Sequence, residues 1–490
     1  MSRPIPKSVL IVGSGVFGLS TAYSLATNDT FKDTQITVVD RSEFPAPDGS
    51  SIDTSRIIRS DYGDLAHAQF ALEAQEKWRK EWWGEGVYFE AGLALVTETD
   101  DNEGADSADP DLSYMRRSLE NGKRLGLSVG SKASGCCLEV LPNCASIQSV
   151  IKQPDNSTGG AGGADCGYVN WRAGWADAEG GMRNLRKKLV SLNRITFVKA
   201  QVQRLLFTPS LSDTSYTVSG VTLTDASTIE ADLTILATGA WTPALIDLRG
   251  LASATGQVLT YLDLNDEEQK ILSQNPTLLN ESTGLFIIPP SRNLLKVARH
   301  GYGYANLTTI PNPEPAPLTP STTKPSDPMY EENITVSLPT TTYDHALPPI
   351  PQEGIDSCRD FLLKSFPSLS KRPFTHGRIC WYTDTPTGDW IIDHHPDYDG
   401  LFVATGGSGH AYKFLPVVGD KIVDCMLGKR EGELAERWRW PAQRGKDEHV
   451  WTDDWRGGVK GLDLKEELRK GEAVFGTARS VPLQNEGATR

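Results

Sequence analysis

Three glycines, one carboxylate, four cations, a thiol and a histidine are the residues whose types and spacing could do chemistry here. Gly13, Gly15 and Gly18 spell G-x-G-x-x-G. In that spacing Gly13 permits a tight turn and Gly15 lets backbone N–H groups approach a pyrophosphate. Gly18 lets a helix pack close to the preceding strand. Asp40 stands where a carboxylate would accept hydrogen bonds from a ribose with a free 2′-hydroxyl. The pattern asks for a dinucleotide, and by itself it does not separate FAD from NAD. Arg56 and Arg59 are three apart, so a short helical turn would turn both to one side. Lys296, Lys413 and Cys380 are far apart in the chain, and His300 follows Lys296 by four. Taken singly these have bland readings: solvated arginines, a strand-end lysine, a small buried cysteine.

Such residues need elements to hold them. Residues 9–12, Val-Leu-Ile-Val, form a short apolar run, as expected of a strand buried on both faces. The glycine loop follows, then a predicted helix at 19–26 and a strand at 36–39 that ends on Asp40. The helix N-terminus would aim its partial positive charge at phosphates. Residues 41–63 read as a polar loop with Pro45, Pro47 and Gly49, and 65–83 as an amphipathic helix. Residues 97–111 read as an acidic surface loop and 154–167 as a Gly-rich one. The acidic start and basic end of 175–190 suit a helix macrodipole. Residues 197–207 and 215–223 alternate as strands.

Residues 231–240 read as a second buried strand ending in a small-residue turn, where backbone could approach a cofactor. A tight strand exit would look the same. Residues 311–328 are Pro- and Thr-rich and irregular. A third strand leads at 403–410 into a glycine loop, with a helix at 417–427. Trp438, Trp440, Trp451 and Trp455 predict a tail that partly wraps the body, with order ending near residue 462. Nucleotide-type strands at the start, middle and end imply one domain assembled from separated segments. The rest then builds a second domain, with the active site in the cleft between them.

The chain has 490 residues, enough for two or three domains with real cores. Its formal net charge of −14 argues against a nucleic-acid surface and against a basic membrane patch. No apolar stretch of about 20 residues suggests a membrane span. Seven cysteines without regular spacing make neither a disulfide framework nor a metal site. An intracellular, cytoplasmic setting is expected, and the C-terminus is not a Ser-Lys-Leu peroxisomal address.

Three strings carry more. They are Arg378-Ile379-Cys380-Trp381-Tyr382-Thr383-Asp384-Thr385-Pro386, Trp390-Ile391-Ile392-Asp393-His394-His395-Pro396 and Gly407-Ser408-Gly409-His410-Ala411-Tyr412-Lys413-Phe414. With the glycine fingerprint, the chain resembles the monomeric sarcosine oxidase family of flavoprotein amine oxidases. That group includes fungal fructosyl amino acid oxidases (amadoriases), L-pipecolate and saccharopine oxidases, and enzymes of alkaloid pathways. The resemblance covers most of residues 8–427 and leaves out 97–112, 154–165, 305–335 and the C-terminal tail.

The resemblance implies an α/β fold of the D-amino acid oxidase-like, glucose-methanol type. A Rossmann-type FAD-binding domain (1–91, 168–245 and 386–430) would join a mixed-sheet substrate domain (92–167 and 246–385). Residues 431–490 would form a C-terminal extension. Cys380 matches the cysteine that holds FAD by a thioether to its 8α-methyl. Arg59 and Lys413 match cations that clamp a substrate carboxylate, and Gly409 a place where backbone approaches substrate. Arg56 and Lys296 match cations near the flavin face, the lysine being the one that activates O2. His300 matches an active-site histidine. FAD contacts are expected at Gly13, Gly15, Val16, Phe17, Gly18, Asp40, Arg41, Ser55, Val202, Gly239, Gly407, Gly409 and Lys413.

The implied reaction takes a secondary amine and O2 to an imine and H2O2, in a monomer. One departure stands out. A tyrosine that lines the pocket of bacterial sarcosine oxidases should fall near Leu285-Phe286, and none is there. Sarcosine is therefore not assigned as substrate, and relatives that oxidise phenolic or alkaloid-pathway amines keep that alternative open. An NAD-linked dehydrogenase would give Arg59, Cys380, Lys296 and Lys413 no reason to co-occur. A non-catalytic flavin-fold binding protein would not need all of them intact.

Overall fold

The computed structural model describes residues 3–98, 110–155, 157, 160–210, 215–318, 330–445, 447–452, 456–473 and 475. Trp455, residues 99–109 of the acidic stretch and 319–328 of the Pro-rich stretch lie outside them.

The strand Ser8–Val12 sits inside a six-stranded sheet because it is apolar on both faces. Val9 and Ile11 pack with Leu19, Ala22 and Leu25 of the helix Val16–Thr27. Leu10 and Val12 pack on the other side with Leu205, Val218 and Leu401. Neither face can be left in water, so the strand has to be covered twice. The sheet order is Ile391–His394, Leu401–Thr405, Leu233–Leu236, Ser8–Val12, Gln35–Asp40, Ile195–Lys199. Neighbours are parallel except the first pair. The helix Val418–Met426 lies close across Val16–Thr27. A side chain at Gly419 would strike the Ser20 carbonyl, and the Gly419 N–H donates to Ser20 Oγ at 2.8 Å.

A ten-stranded mixed sheet forms the second layer system. Its middle is Ser253–Asp263, flanked by His376–Asp384 and Leu294–Arg299, with Leu285–Ser291 beyond. Successive side chains alternate between faces. Cys380 and Tyr382 therefore share one face, while Ile379 and Trp381 enter the core on the other. Lys296 and Ala298 alternate in the same way with Leu295 and Val297. His300, two residues past Ala298, continues the site face. We propose that the two domains follow these two sheets, with Cys166–Asn170 wholly in the second because it pairs there.

Several expectations are corrected. Arg56–Ile58 is a strand paired with Gly174–Ala176, so Arg56 and Arg59 are on extended chain and not on a helical turn. The helix predicted at 175–190 starts later, at Ala178–Leu192, because the Asp177 carboxylate caps it by accepting from the Gly180 N–H at 3.0 Å. Residues 197–207 divide into Ile195–Lys199 and Val202–Pro209, which belong to different sheets. A helix, Pro110–Arg124, begins inside the stretch read as acidic loop, with proline at its first position.

Order continues past residue 462. Leu462–Asp463 pairs with Tyr304–Ala305, Asp463 caps the helix Leu464–Lys470, and Glu472–Ala473 pairs with Ile350–Pro351. Leu464 is buried against the ten-stranded sheet, which ties this segment down. Trp438 stacks on Trp390 with ring centroids 4.8 Å apart. Trp438→Leu is expected to cost about 2 kcal/mol of stability through lost stacking and packing. Urea unfolding that left the midpoint unchanged would show that the tail is not part of the core. Among the described residues no helix is long and apolar enough to cross a membrane.

Candidate active site

A cavity of about 400 Å³ opens at the carboxyl ends of the parallel strands, where open α/β sheets bind nucleotides. Its walls include Gly13, Gly15, Val16, Phe17, Asp40, Arg41, Val202, Gly239, Gly407 and Gly409. Gly13 has φ +105°, and a Cβ there would lie 2.5 Å from the Ala237 carbonyl oxygen. Gly18 lies behind the wall, where a Cβ would run into the Gly13 carbonyl. Both glycines let backbone pass close to backbone, which makes the tight turn and the close helix of a dinucleotide-binding loop. Asp40 Oδ2 accepts from Ser14 N and Oγ at 2.8 and 2.7 Å, and Oδ1 accepts from Ser42 N at 3.1 Å. It braces the glycine loop, and a carboxylate with about four lone-pair sites can still receive a ribose hydroxyl. Arg41 lies between Trp241 and Tyr343, 4.3 Å from each ring centroid. Ser55 departs from expectation: Ser50 and Ser51 line the cavity, while the Ser55 carbonyl accepts from Lys296 and Arg56.

A second cavity of about 60 Å³ shares Arg56, Tyr382, Gly409 and Tyr412 with the first. Cys380, Lys296, His300, Arg59 and Lys413 line this second one. Lys413, expected to touch the cofactor as well as the substrate, is not on the wall of the larger cavity. Gly409, at φ +66°, presses its backbone on the Tyr382 ring, which a Cβ would strike. Phe286 stands where the family tyrosine was sought, with Lys296 Nζ 5.4 Å from its ring centroid.

Asp53 is the electrostatic centre of this wall, and the sequence analysis assigned it no role. Its carboxylate accepts from Lys296 Nζ at 2.6 Å, from Tyr261 OH at 2.6 Å and from Arg56. Lys296 also donates to the Ser55 carbonyl at 2.9 Å, and Arg56 to Cys380 Sγ at 3.4 Å. Burial opposes the Asp53 charge, yet Lys296, Arg56 and Arg378 outweigh it and hold the carboxyl far below its usual range. Lys296 is itself pulled below the ordinary lysine value, by burial first and by Arg56, with Asp53 opposing. The lysine is thus a buried cation whose counter-charge, Asp53, is buried with it.

Tyr62 organises the other side. Lys413 Nζ donates to Tyr62 OH at 2.8 Å and to the His410 carbonyl at 3.0 Å. Tyr62 OH lies 3.0 Å from His410 Nδ1, and His410 Nε2 lies 2.9 Å from the Gly388 carbonyl. A carbonyl only accepts, so Nε2 carries the proton and Nδ1 accepts from Tyr62. Arg59 and Lys413 flank the Tyr62 ring, each about 5.0 Å from its centroid. Arg59 also donates to Tyr114 OH at 3.4 Å and to the Asp61 carbonyl.

Residues 8–425 match the FAD dependent oxidoreductase family. The chain belongs to that family. FAD, rather than NAD, is therefore the dinucleotide of this FAD dependent oxidoreductase. It is 31% identical over 493 residues to the amino acid oxidase imqH of Aspergillus flavus, covering 91% of this chain and 99% of that one. It is 30% identical over 458 residues to the L-saccharopine oxidase of Schizosaccharomyces pombe, covering 91% and 95%. A modified fructosyl peptide oxidase from Aspergillus nidulans superposes with a TM-score of 0.77 at 21% identity, over 95% of this chain and 99% of that one. The resemblance to the sarcosine oxidase group and the D-amino acid oxidase type of fold are borne out.

Residues that the sequence analysis passed over are Asp53, Tyr62, Tyr382 and Arg456. Asp53 lay within a quoted segment, and its place between Ser50 and Arg56 was the available signal. Tyr382 was also quoted, two residues from Cys380 on an alternating strand. Nothing local marked Tyr62 or Arg456.

Proposed function

We propose that this FAD dependent oxidoreductase oxidises the C–N bond of a secondary amine bearing a carboxylate, using O2 and releasing an imine and H2O2. One observation carries the reading. Arg59, Cys380, Lys413 and the neighbouring pair Lys296 and His300, from four separate parts of the chain, line one small cavity that adjoins the dinucleotide cavity. The relatives named as amino acid and L-saccharopine oxidases support an amine of amino-acid type.

The bound FAD supplies the two-electron acceptor and passes the electrons to O2. Everything else falls to the chain. Arg59 and Lys413 anchor the carboxylate through charge-assisted hydrogen bonds and fix the amine in reach of the acceptor. The same cations disfavour an ammonium, so the amine sheds its proton before oxidation. His300 is kept neutral, by burial and then by Arg456, Arg59, His410 and Lys413, and adds no charge of its own. Leu259, Leu279, Phe286 and Ile288 give the cavity an apolar wall for the rest of the substrate. Lys296 offers a positive charge where O2 gains its first electron. Cys380 would hold the flavin covalently, a role the family resemblance gives it and which is supported by its thiol's place on the smaller cavity beside Arg56, a residue both cavities share.

Acid precipitation tests the attachment. The native protein is expected to leave a yellow pellet, and Cys380→Ser to release its colour to the supernatant. Colour in the supernatant of the native protein would remove the role given to Cys380. An amine panel read by peroxide release tests the activity. Lys413→Met should raise the KM of carboxylate-bearing amines by about 10²-fold, and leave plain amines within threefold. Equal losses on both sets would show that Lys413 does not bind a carboxylate.

A further inference from the structure

The C-terminal extension lies beyond the family match at 425, yet it sets a side chain, Arg456, against the site residue His300. Arg456 is fully buried and pairs with Asp384 at 3.1 Å. Its Nη2 also donates to the Ser408 carbonyl at 2.7 Å, on the loop that carries Gly409. Its Nη1 reaches His300 Nδ1 at 3.4 Å and the Gly301 carbonyl at 3.4 Å. The guanidinium stands 5.6 Å from the Tyr382 ring centroid, and the His300 ring is 5.7 Å from the same ring. The next residue, Gly457, bridges to Gly301 and is wedged against the Thr283–Gly284 backbone, where a Cβ would clash.

An arginine side chain only donates and stays charged in a protein. A nitrogen facing it must accept, so Nδ1 of His300 bears no proton. The neutral ring then carries its proton on Nε2. The cations around His300 act in the same direction, and the Asp384 carboxylate is engaged by Arg456. Arg456 comes from the extension, Arg59 from the segment after Arg56–Ile58, and His410 and Lys413 from the glycine loop. Tyr382 comes from the neighbouring strand, and Asp384 faces Arg456. With burial, the charges of Arg456, Arg59 and Lys413 disfavour a charged imidazole.

We infer that Arg456 is a positioning residue, which locks His300 as a neutral imidazole with its N–H on Nε2 and ties the extension to the substrate cavity. His300 is then a hydrogen-bond donor to the substrate and not its base. The catalytic side of this rests on the amine-oxidase reading above; the state of the ring does not.

Ring-¹⁵N-histidine labelling of the holoenzyme tests it, since the chain has only eight histidines. His300→Asn identifies the signal. The native ring is expected to show the Nε2–H tautomer, unchanged from pH 6 to 9. An Nδ1–H tautomer, or titration within that range, would overturn the proposal without any variant needing to fold. Arg456→Lys keeps a charge for Asp384 but cannot span Ser408, Asp384 and His300 together. It should let the second tautomer appear and slow cofactor reduction by the best amine about tenfold. In the His300→Asn background the same change should add nothing. Multiplying effects would mean that Arg456 acts on the structure and not through His300. If no amine reduces the cofactor, the proposed function fails, while the NMR result still decides the state of the ring.

Discussion

Lys296→Met is expected to slow reaction of the reduced enzyme with O2 by about 10²- to 10³-fold, the scale of one electrostatic stabiliser in a dry site. Reduction by the amine should change by less than about threefold. The reason is charge: the first electron makes superoxide, and Lys296 Nζ is a fully buried ammonium on the cavity wall. Methionine keeps the length and removes the charge. Asp53 is not stranded by the change, because Arg56 still donates to it. Stopped-flow absorbance separates the two half-reactions. Equal slowing of both would place Lys296 in substrate binding.

The pH dependence has a definite sign. The cation is present below the lysine's own pKa and lost above it. Burial pulls that pKa below the ordinary 10.5, so the native O2 reaction should fall on an alkaline limb beneath that value. The limb should vanish in Lys296→Met.

Asp53→Asn should be the most destabilising single change at the site. It leaves Lys296 and Arg56 facing a neutral amide, two buried cations without their counter-charge. Breaking a buried pair from one side costs about 3–5 kcal/mol, to be read from denaturant midpoints. The folded carboxyl is held far below its usual range. Its contribution is therefore present above the unfolded value of 3.8 and is lost only as pH falls toward the folded one. The stability gap between native and variant should then narrow in acid, and narrow again on the alkaline side where the variant's Lys296 has lost its proton and the native one has not. Lys296 should also titrate lower in the variant, moving the alkaline limb of the O2 reaction downward. A variant as stable as the native protein would mean that Asp53 does not hold the two cations.

What could be read early had local causes. The apolar run of Ser8–Val12 dictates a strand with two covered faces. G-x-G-x-x-G dictates a turn, a cradle and a close helix, all within six residues. Cys380 and Lys413 were visible because they sit in short, distinctive strings, while Lys296 and His300 rested on the family resemblance; the period of two then put Tyr382 beside Cys380 and His300 on the face of Lys296. The helical turn expected for Arg56 and Arg59 failed for a non-local reason, since Arg56–Ile58 is held straight by pairing with Gly174–Ala176.

The amino-acid sequence determined the dinucleotide loop, because backbone sterics and side-chain periodicity act between neighbours, while the two-domain α/β class and the set of cations were legible through its resemblance to a known family. Only the tertiary structure decided which charges meet. Asp53 reaches Lys296 across 243 residues and Lys413 reaches Tyr62 across 351. A buried charge is tolerated only where a partner is delivered to it. That partner is chosen by how the sheets and the C-terminal segment pack, which no stretch of the chain carries in itself.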